Sequence, residues 1–133
     1  MKKIKVIIID DEQDAVASIE LIIKEFCPDI ELLGSANIID DAWELIKKLE
    51  PDLIFLDINM PRGTGFDLLE RFPLRKFDVI FITAYNKYEE KSAAYGAFAY
   101  LQKPIDIDLV VSTTNQLIEH RNAHPGAVFR IGI

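Results

Sequence analysis

The chain has 133 residues, half of them hydrophobic and 28% charged, and a formal charge of −7. Compact domains centre on about 100–150 residues, so this length and balance fit one globular domain and exclude a disordered or fibrous chain. The acidic charge argues against direct binding to a phosphate backbone, which needs clustered Lys and Arg on one face, and no apolar run approaches the roughly 20 residues that span a bilayer.

The start, MKKIKVIIIDDE, is not a secretory signal, because its short apolar core runs directly into acids. A cytoplasmic protein is expected. The single cysteine, Cys27, excludes an internal disulfide and is expected in the core or at a helix end. Neither His120 nor His124 has a Cys close in sequence to suggest a soft-metal pair.

In chain order, the first predicted strand is KVIII at 5–9, followed by a helix with an apolar stripe of Val16, Ile19, Ile22, Ile23 and Phe26 that Pro28 ends. A weaker strand at 30–35 contains Gly34 and suits a sheet edge. Asn37 reads as the cap of a second helix, with Asp40 at its third position and Ala42, Leu45, Ile46 and Leu49 as its stripe; Pro51 stops it. DLIFL at 52–56 is the third strand, and residues 65–72 give a helix ended by Pro73. DVIFI at 78–82 is the fourth strand. The next helical segment, 87–95, has the poorest apolar stripe, so it is either barely packed or meets a partner through one face. FAYLQ at 98–102 is the fifth strand, and Val110, Thr114, Leu117 and Ile118 mark a long last helix after Pro104.

Strand and helix alternate five times, and four of the strands are apolar on both faces. This predicts an α/β fold with a parallel sheet wrapped by helices on both faces through right-handed crossovers. Residues 1–122 form that domain. From 123 onward the pattern breaks: His124-Pro125-Gly126 reads as a turn, and 127–131 as an extra strand, a linker, or the start of something truncated.

Ligands bind outside the carboxyl ends of the strands in such sheets. The first strand ends in Asp10-Asp11-Glu12, the third in Asp57, the fourth in Thr83, and the fifth runs into Lys103-Pro104. Each has a bland reading: Asp10 and Asp11 as helix caps, Asp57 as a loop acid, Thr83 as a strand-end residue, Lys103 as a solvated lysine. Their conjunction favours a cation, because acids gathered without a counter-charge repel one another. With only oxygen ligands that cation is hard: Mg²⁺, with Mn²⁺ as the alternative. Lys103 and Thr83 then supply a charge and a hydroxyl for phosphate oxygens. Asp57, alone at the end of the most buried strand, is left as a nucleophile able to form an acyl phosphate.

IDDE at 9–12, LDINMPRGTGFDLL at 56–69, ITAY at 82–85 and YLQKPID at 100–106 together resemble the receiver domain of two-component response regulators, over about residues 3–120. The resemblance implies a flavodoxin-like (βα)5 doubly wound parallel sheet in strand order 2-1-3-4-5, and that Asp57 accepts a phosphoryl group from a sensor histidine kinase. It also implies that Asp10, Asp11 and Asp57, with the backbone carbonyl of Asn59, hold Mg²⁺. Thr83 and Lys103 would bind the phosphoryl group, and Tyr100 would be the aromatic that turns inward on activation. Gly65 matches the family's glycine ahead of the third helix, and a cis Lys103–Pro104 bond is expected. Asn59 and Tyr85 occupy the two positions that tune dephosphorylation, and a bulky Tyr85 implies slow decay. TAY at 83–85 followed by GAFAYLQKPID at 96–106 looks most like receivers joined to LytTR-type DNA-binding domains.

Such a receiver is a switch, not an enzyme in the ordinary sense. Its readout is expected to be homodimerisation or control of an output domain, transcriptional in kind, through the fourth helix, fifth strand and fifth helix. Tyr88 and Tyr95 are candidates for partner contacts or core packing there. The residues after 120 are too few for an output domain, which the expectation places outside this chain, together with any contact to DNA.

Three other readings compete. A haloacid dehalogenase-type phosphohydrolase uses a strand-end Asp and Mg²⁺, but carries a second Asp where this chain has Asn59. A flavodoxin-like nucleotide or flavin binder wants a Gly- or Ser/Thr-rich loop after the first strand, where acids stand here. A receiver-like module that is never phosphorylated would lack site residues, and none is missing.

Overall fold

In the computed structural model, which describes residues 2–132, five strands form one parallel sheet: β1 (Ile4–Ile9), β2 (Ile30–Ala36), β3 (Leu53–Leu56), β4 (Asp78–Thr83) and β5 (Ala99–Gln102). Their spatial order is β2-β1-β3-β4-β5, the doubly wound order that the resemblance implies. The helices are α1 (Gln13–Phe26), α2 (Ile39–Leu49), α3 (Gly65–Glu70), α4 (Glu89–Ala94) and α5 (Ile107–Ala123).

The period of two within each strand decides which helix covers which face. Ile7, Ile9, Ile54, Leu56, Val79 and Phe81 point to one side, where Ile39, Ala42 and Ile46 of α2 and Phe66, Leu68 and Leu69 of α3 meet them. Val6, Ile8, Leu53, Phe55, Ile80 and Ile82 point to the other, against Ile19, Ile22 and Ile23 of α1 and Val110 and Leu117 of α5. Because the central strands are buried on both faces, their carboxyl ends are fixed with respect to one another.

At the edge, β2 pairs with β1 through an irregularity: Val6 stands opposite Leu32 but Ile7 opposite Gly34. One extra residue in β2 is a bulge, a common feature of sheet edges.

Several local expectations are corrected. Asn37 does not cap α2; the cap position is Ile38, in an extended conformation and without a side-chain hydrogen bond. The chain stays extended one residue longer than an Asn cap requires. Neither Asp10 nor Asp11 is the cap of α1, which is Glu12, again without a side-chain bond. Phe26, the last residue of α1, is 52% exposed, while Cys27 after it packs with Ile19, Ile22 and Ile23. α3 ends at Glu70, two residues early, and begins with a reciprocal capping box between Thr64 and Asp67. Cys27 is both buried and the C-cap of α1.

The segment after α5 turns at Gly126 and lays Phe129–Arg130 antiparallel to Leu74–Arg75. Ile131 N–H donates to the Pro73 carbonyl at 2.8 Å, and the Ile131 side chain packs on the core side that holds α2 and α3. Among the described residues, no helix is long and apolar enough to cross a membrane.

Candidate functional site

The register of the three central strands brings the acids together. Ile9 stands opposite Leu56, so Asp10 and Asp57 leave adjacent strands side by side. Strand-like pairing continues one residue past each end: Asp10 N–H donates to Ala36 O and Asp57 N–H to Ile9 O, both at 3.0 Å. Asp10 is 3% exposed and Asp57 6%; Asp11 is exposed.

The ammonium of Lys103, delivered by β5, sits among the carboxylates. It lies 3.0 Å from Asp10 Oδ2 and 3.0 Å from Asp57 Oδ2, and also pairs with Glu12. Burial alone would lower the Lys103 pKa, but the hydrogen bonds to Glu12, Asp10 and Asp57 outweigh it and hold it above the ordinary lysine value. The Lys103–Pro104 bond that follows is cis.

The other carboxylate oxygens are held by main chain. Asp57 Oδ1 accepts from Ile58 N–H at 2.6 Å, and Asp10 Oδ1 from Glu12 N–H at 2.9 Å. Asp10 is raised above the usual carboxylate range, chiefly by burial and further by the charge of Asp57, against the lowering effect of the Glu12 N–H and Lys103.

Asp10, Asp11 and Asp57 can each bring one oxygen within 4.8 Å of the others. Lys103 is thus a single ammonium bonded to three acids, Asp10, Glu12 and Asp57, with Asp11 beside them. Only oxygen donors are present in this group, which fits a hard divalent cation and not zinc or copper. Asn59, two residues past Asp57, sits exposed in a two-residue ribbon in which it pairs with Thr64.

Gly65 backs the site. A Cβ there would stand 2.5 Å from the Asp57 carbonyl oxygen and 3.0 Å from Leu56 Cγ, and Gly65 N–H donates to Ile58 O at 2.7 Å. Only glycine allows α3 to start this close to the chain that carries Asp57.

Thr83 ends β4 and is completely buried. Its Oγ1 accepts from Tyr85 N–H at 3.4 Å, a long bond. The Tyr85 carbonyl in turn accepts from the Tyr100 hydroxyl. Tyr100 stands opposite Phe81 in the sheet, with ring centroids 6.3 Å apart. The Tyr85 backbone therefore links the hydroxyls of Thr83 and Tyr100, while its 39% exposed side chain packs edge-on to Tyr88. Tyr88 and Tyr95 are both half-buried against Phe66, at 5.9 and 4.9 Å, which explains how a helix with so weak a stripe stays attached.

Sequence reasoning placed Glu12 at this edge but gave it no role. Its pairing with Lys103, 91 positions away, depends on the parallel order that brings β5 within reach of the first strand's end.

Comparison with known proteins follows the same lines. The model of the response regulator receiver domain family matches residues 6–115. The transcriptional regulatory protein BtsR of Escherichia coli (strain K12) is 35% identical over 120 residues, covering 90% of this chain and 50% of BtsR. The sensory transduction protein LytT of Bacillus anthracis is 31% identical over 112 residues, 83% of this chain and 45% of LytT; its presence among the relatives agrees with the expected LytTR-type subgroup. The chain spans about half the length of these relatives. In structure it is similar to the response regulatory domain of protein mrkE from Klebsiella pneumoniae, with a TM-score of 0.83, 27% identity, and coverage of 90% of this chain and 99% of that one.

Proposed function

The chain belongs to the response regulator receiver domain family, and from that membership and the geometry of its acidic edge we propose that it is a phosphorylation switch whose acceptor is Asp57. The observation that carries this reading is the single carboxylate at the end of β3, bonded to Lys103 and within metal-sharing distance of Asp10 and Asp11.

The donor is a phosphohistidine on a sensor kinase. An Asp57 carboxylate oxygen attacks phosphorus, forming a P–O bond as the P–N bond breaks; the electron pair stays with the imidazole nitrogen, and a mixed anhydride remains on Asp57. Lys103 pairs with the phosphoryl oxygens, and burial on β3 keeps Asp57 fixed for in-line approach. Asp10, Asp11, Asp57 and the Asn59 carbonyl would hold Mg²⁺, which when bound neutralises charge on the transferring group.

Phosphorylation adds about −1.5 to −2 charge at Asp57. Thr83 is drawn toward the new oxygens to donate a hydrogen bond, and its link through Tyr85 carries that movement to Tyr100. The face of α4, β5 and α5 then changes, and two copies dimerise through it. Control of transcription belongs to an output domain, with no direct nucleic-acid contact by residues 1–122. The reading carries a cytoplasmic location, where the kinase presents its phosphohistidine.

Incubation with acetyl phosphate tests the reading. Intact mass is expected to show one phospho-adduct in Mg²⁺, much less in EDTA, and none in Asp57→Asn. An adduct equally abundant in the variant contradicts it.

A further inference from the structure

α4 ends in a turn that leaves the carbonyl of its cap residue, Tyr95, to be answered from outside the helix. Gly96, at φ +76°, closes it: Gly96 N–H donates to Ala93 O at 2.9 Å and Ala97 N–H to Ser92 O at 3.1 Å. This is the Schellman arrangement, which satisfies carbonyls one turn back but not that of the cap residue, Tyr95. Arg75 supplies the donor: its Nη2 lies 2.6 Å from Tyr95 O, and its Nε bonds Phe77 O at 3.2 Å.

Arg75 is 4% exposed, and Nη1 has no hydrogen-bond partner in the structure. A guanidinium buried on backbone carbonyls is an expensive way to end a short helix; burial lowers its pKa to about 10, still charged at neutral pH. What else it does is visible on its flat face. The ring of Phe129, from the segment after α5, lies 4.5 Å from the guanidinium carbon, a cation–π contact. The same ring fills the place a Cβ would take on Gly96. Glycine is thus required there twice, by its φ and by Phe129.

We infer that residues 127–131 are an intramolecular latch seated on Arg75 and Gly96, and that its docking and the C-terminal end of α4 form one coupled equilibrium. Arg75 is a positioning residue with two clients, the Tyr95 carbonyl and the Phe129 ring, and it holds either best when it holds both. Linkage makes the effect reciprocal: loosening α4 releases the latch, and removing the latch loosens α4 by the same factor. The packing of Tyr95 on Phe66 ties that helix end to the core, so the latch rests on the least packed helix without touching the acidic edge.

Hydrogen exchange on the whole chain, unphosphorylated and in EDTA, tests the latch separately from the phosphoacceptor. Phe129→Ala is expected to speed exchange of Ala97 N–H at the helix end and Ile131 N–H in the tail by tenfold or more, with Ile7 in β1 unchanged. Arg75→Lys, which keeps the charge but not the planar fork, should speed the same two amides together. Release of Ile131 with Ala97 unaffected in Phe129→Ala overturns the coupling. A stability cycle checks the contact itself: the tenfold or greater fall in the unfolding equilibrium expected of Gly96→Ala should shrink in a Phe129→Ala background, and an equal fall in both backgrounds overturns it.

Discussion

Gly65 sits against the backbone of Asp57, so close that a single added methyl would stand 2.5 Å from the Asp57 carbonyl oxygen. Overpacking at a rigid backbone typically costs about 1–3 kcal/mol. Gly65→Ala is expected to lose stability of that order in urea unfolding and to label more slowly with acetyl phosphate, because the chain that must give way carries the acceptor. Unchanged stability and labelling would mean that the approach constrains nothing.

Asp10 gives a pH dependence with a definite sign. Its folded-state pKa is raised, mainly by burial, so the folded protein binds this proton more tightly than the unfolded chain. Stability from this group then falls as pH rises from the unfolded carboxylate pKa, about 3.9, through the folded one, and the cost is complete above that. In EDTA at pH 7, Asp10→Asn is expected to be more stable than wild type, with the advantage fading as pH falls through the folded value and gone below the unfolded one. The variant should gain less melting temperature from added Mg²⁺, since a cation binding only the folded state stabilises by mass action. A less stable variant in EDTA at pH 7 would contradict the sign.

Tyr85→Ala separates side chain from main chain. The carbonyl that receives the Tyr100 hydroxyl and the N–H that reaches Thr83 both survive, while the exposed ring is lost. If the ring shields the phosphoryl group from water, loss of label after donor removal should quicken several-fold. An unchanged decay rate would sink the steric account.

Tyr100→Phe keeps the ring against Phe81 and removes the hydroxyl. A net hydrogen bond is worth roughly 0.5–1.5 kcal/mol, so the fold should survive. Light scattering with Mg²⁺ and beryllofluoride is expected to show wild type shifting toward dimer and the variant shifting less. Identical masses with and without the mimic in wild type, at high concentration, would remove dimerisation as the readout.

How much of this was legible in the sequence depends on whether a feature repeats along the chain or arises across it. The strands and their parallel sheet follow from Ile7, Ile54, Val79 and their neighbours, because apolar runs alternating with 3.6-period segments admit few topologies, while the strand order comes from the resemblance. Asp10, Asp11, Asp57 and Lys103 could be gathered in advance, since a parallel sheet puts strand ends on one edge. The misreadings lie where local chemistry is ambiguous by a residue or two: Asn37 has the chemistry of a cap that the chain places at Ile38, and Phe26 continues the apolar stripe but the chain buries Cys27 beside it instead. Tertiary pairings left no local trace. The bond from Glu12 to Lys103, the Tyr85 backbone as the link to Tyr100, and Arg75 shared by α4 and Phe129 each join distant segments. A glycine at 96 was the one visible hint of the last.

Borohydride trapping identifies the residue that carries the phosphoryl group. The protein is treated with acetyl phosphate and Mg²⁺, reduced so that an acyl phosphate becomes the corresponding alcohol, and mapped by peptide mass spectrometry. Homoserine is expected at position 57, abolished when EDTA is present during labelling. Homoserine at position 10 or 11 with Asp57 intact, or no reduced residue in a protein that carries the phospho-adduct, would contradict it.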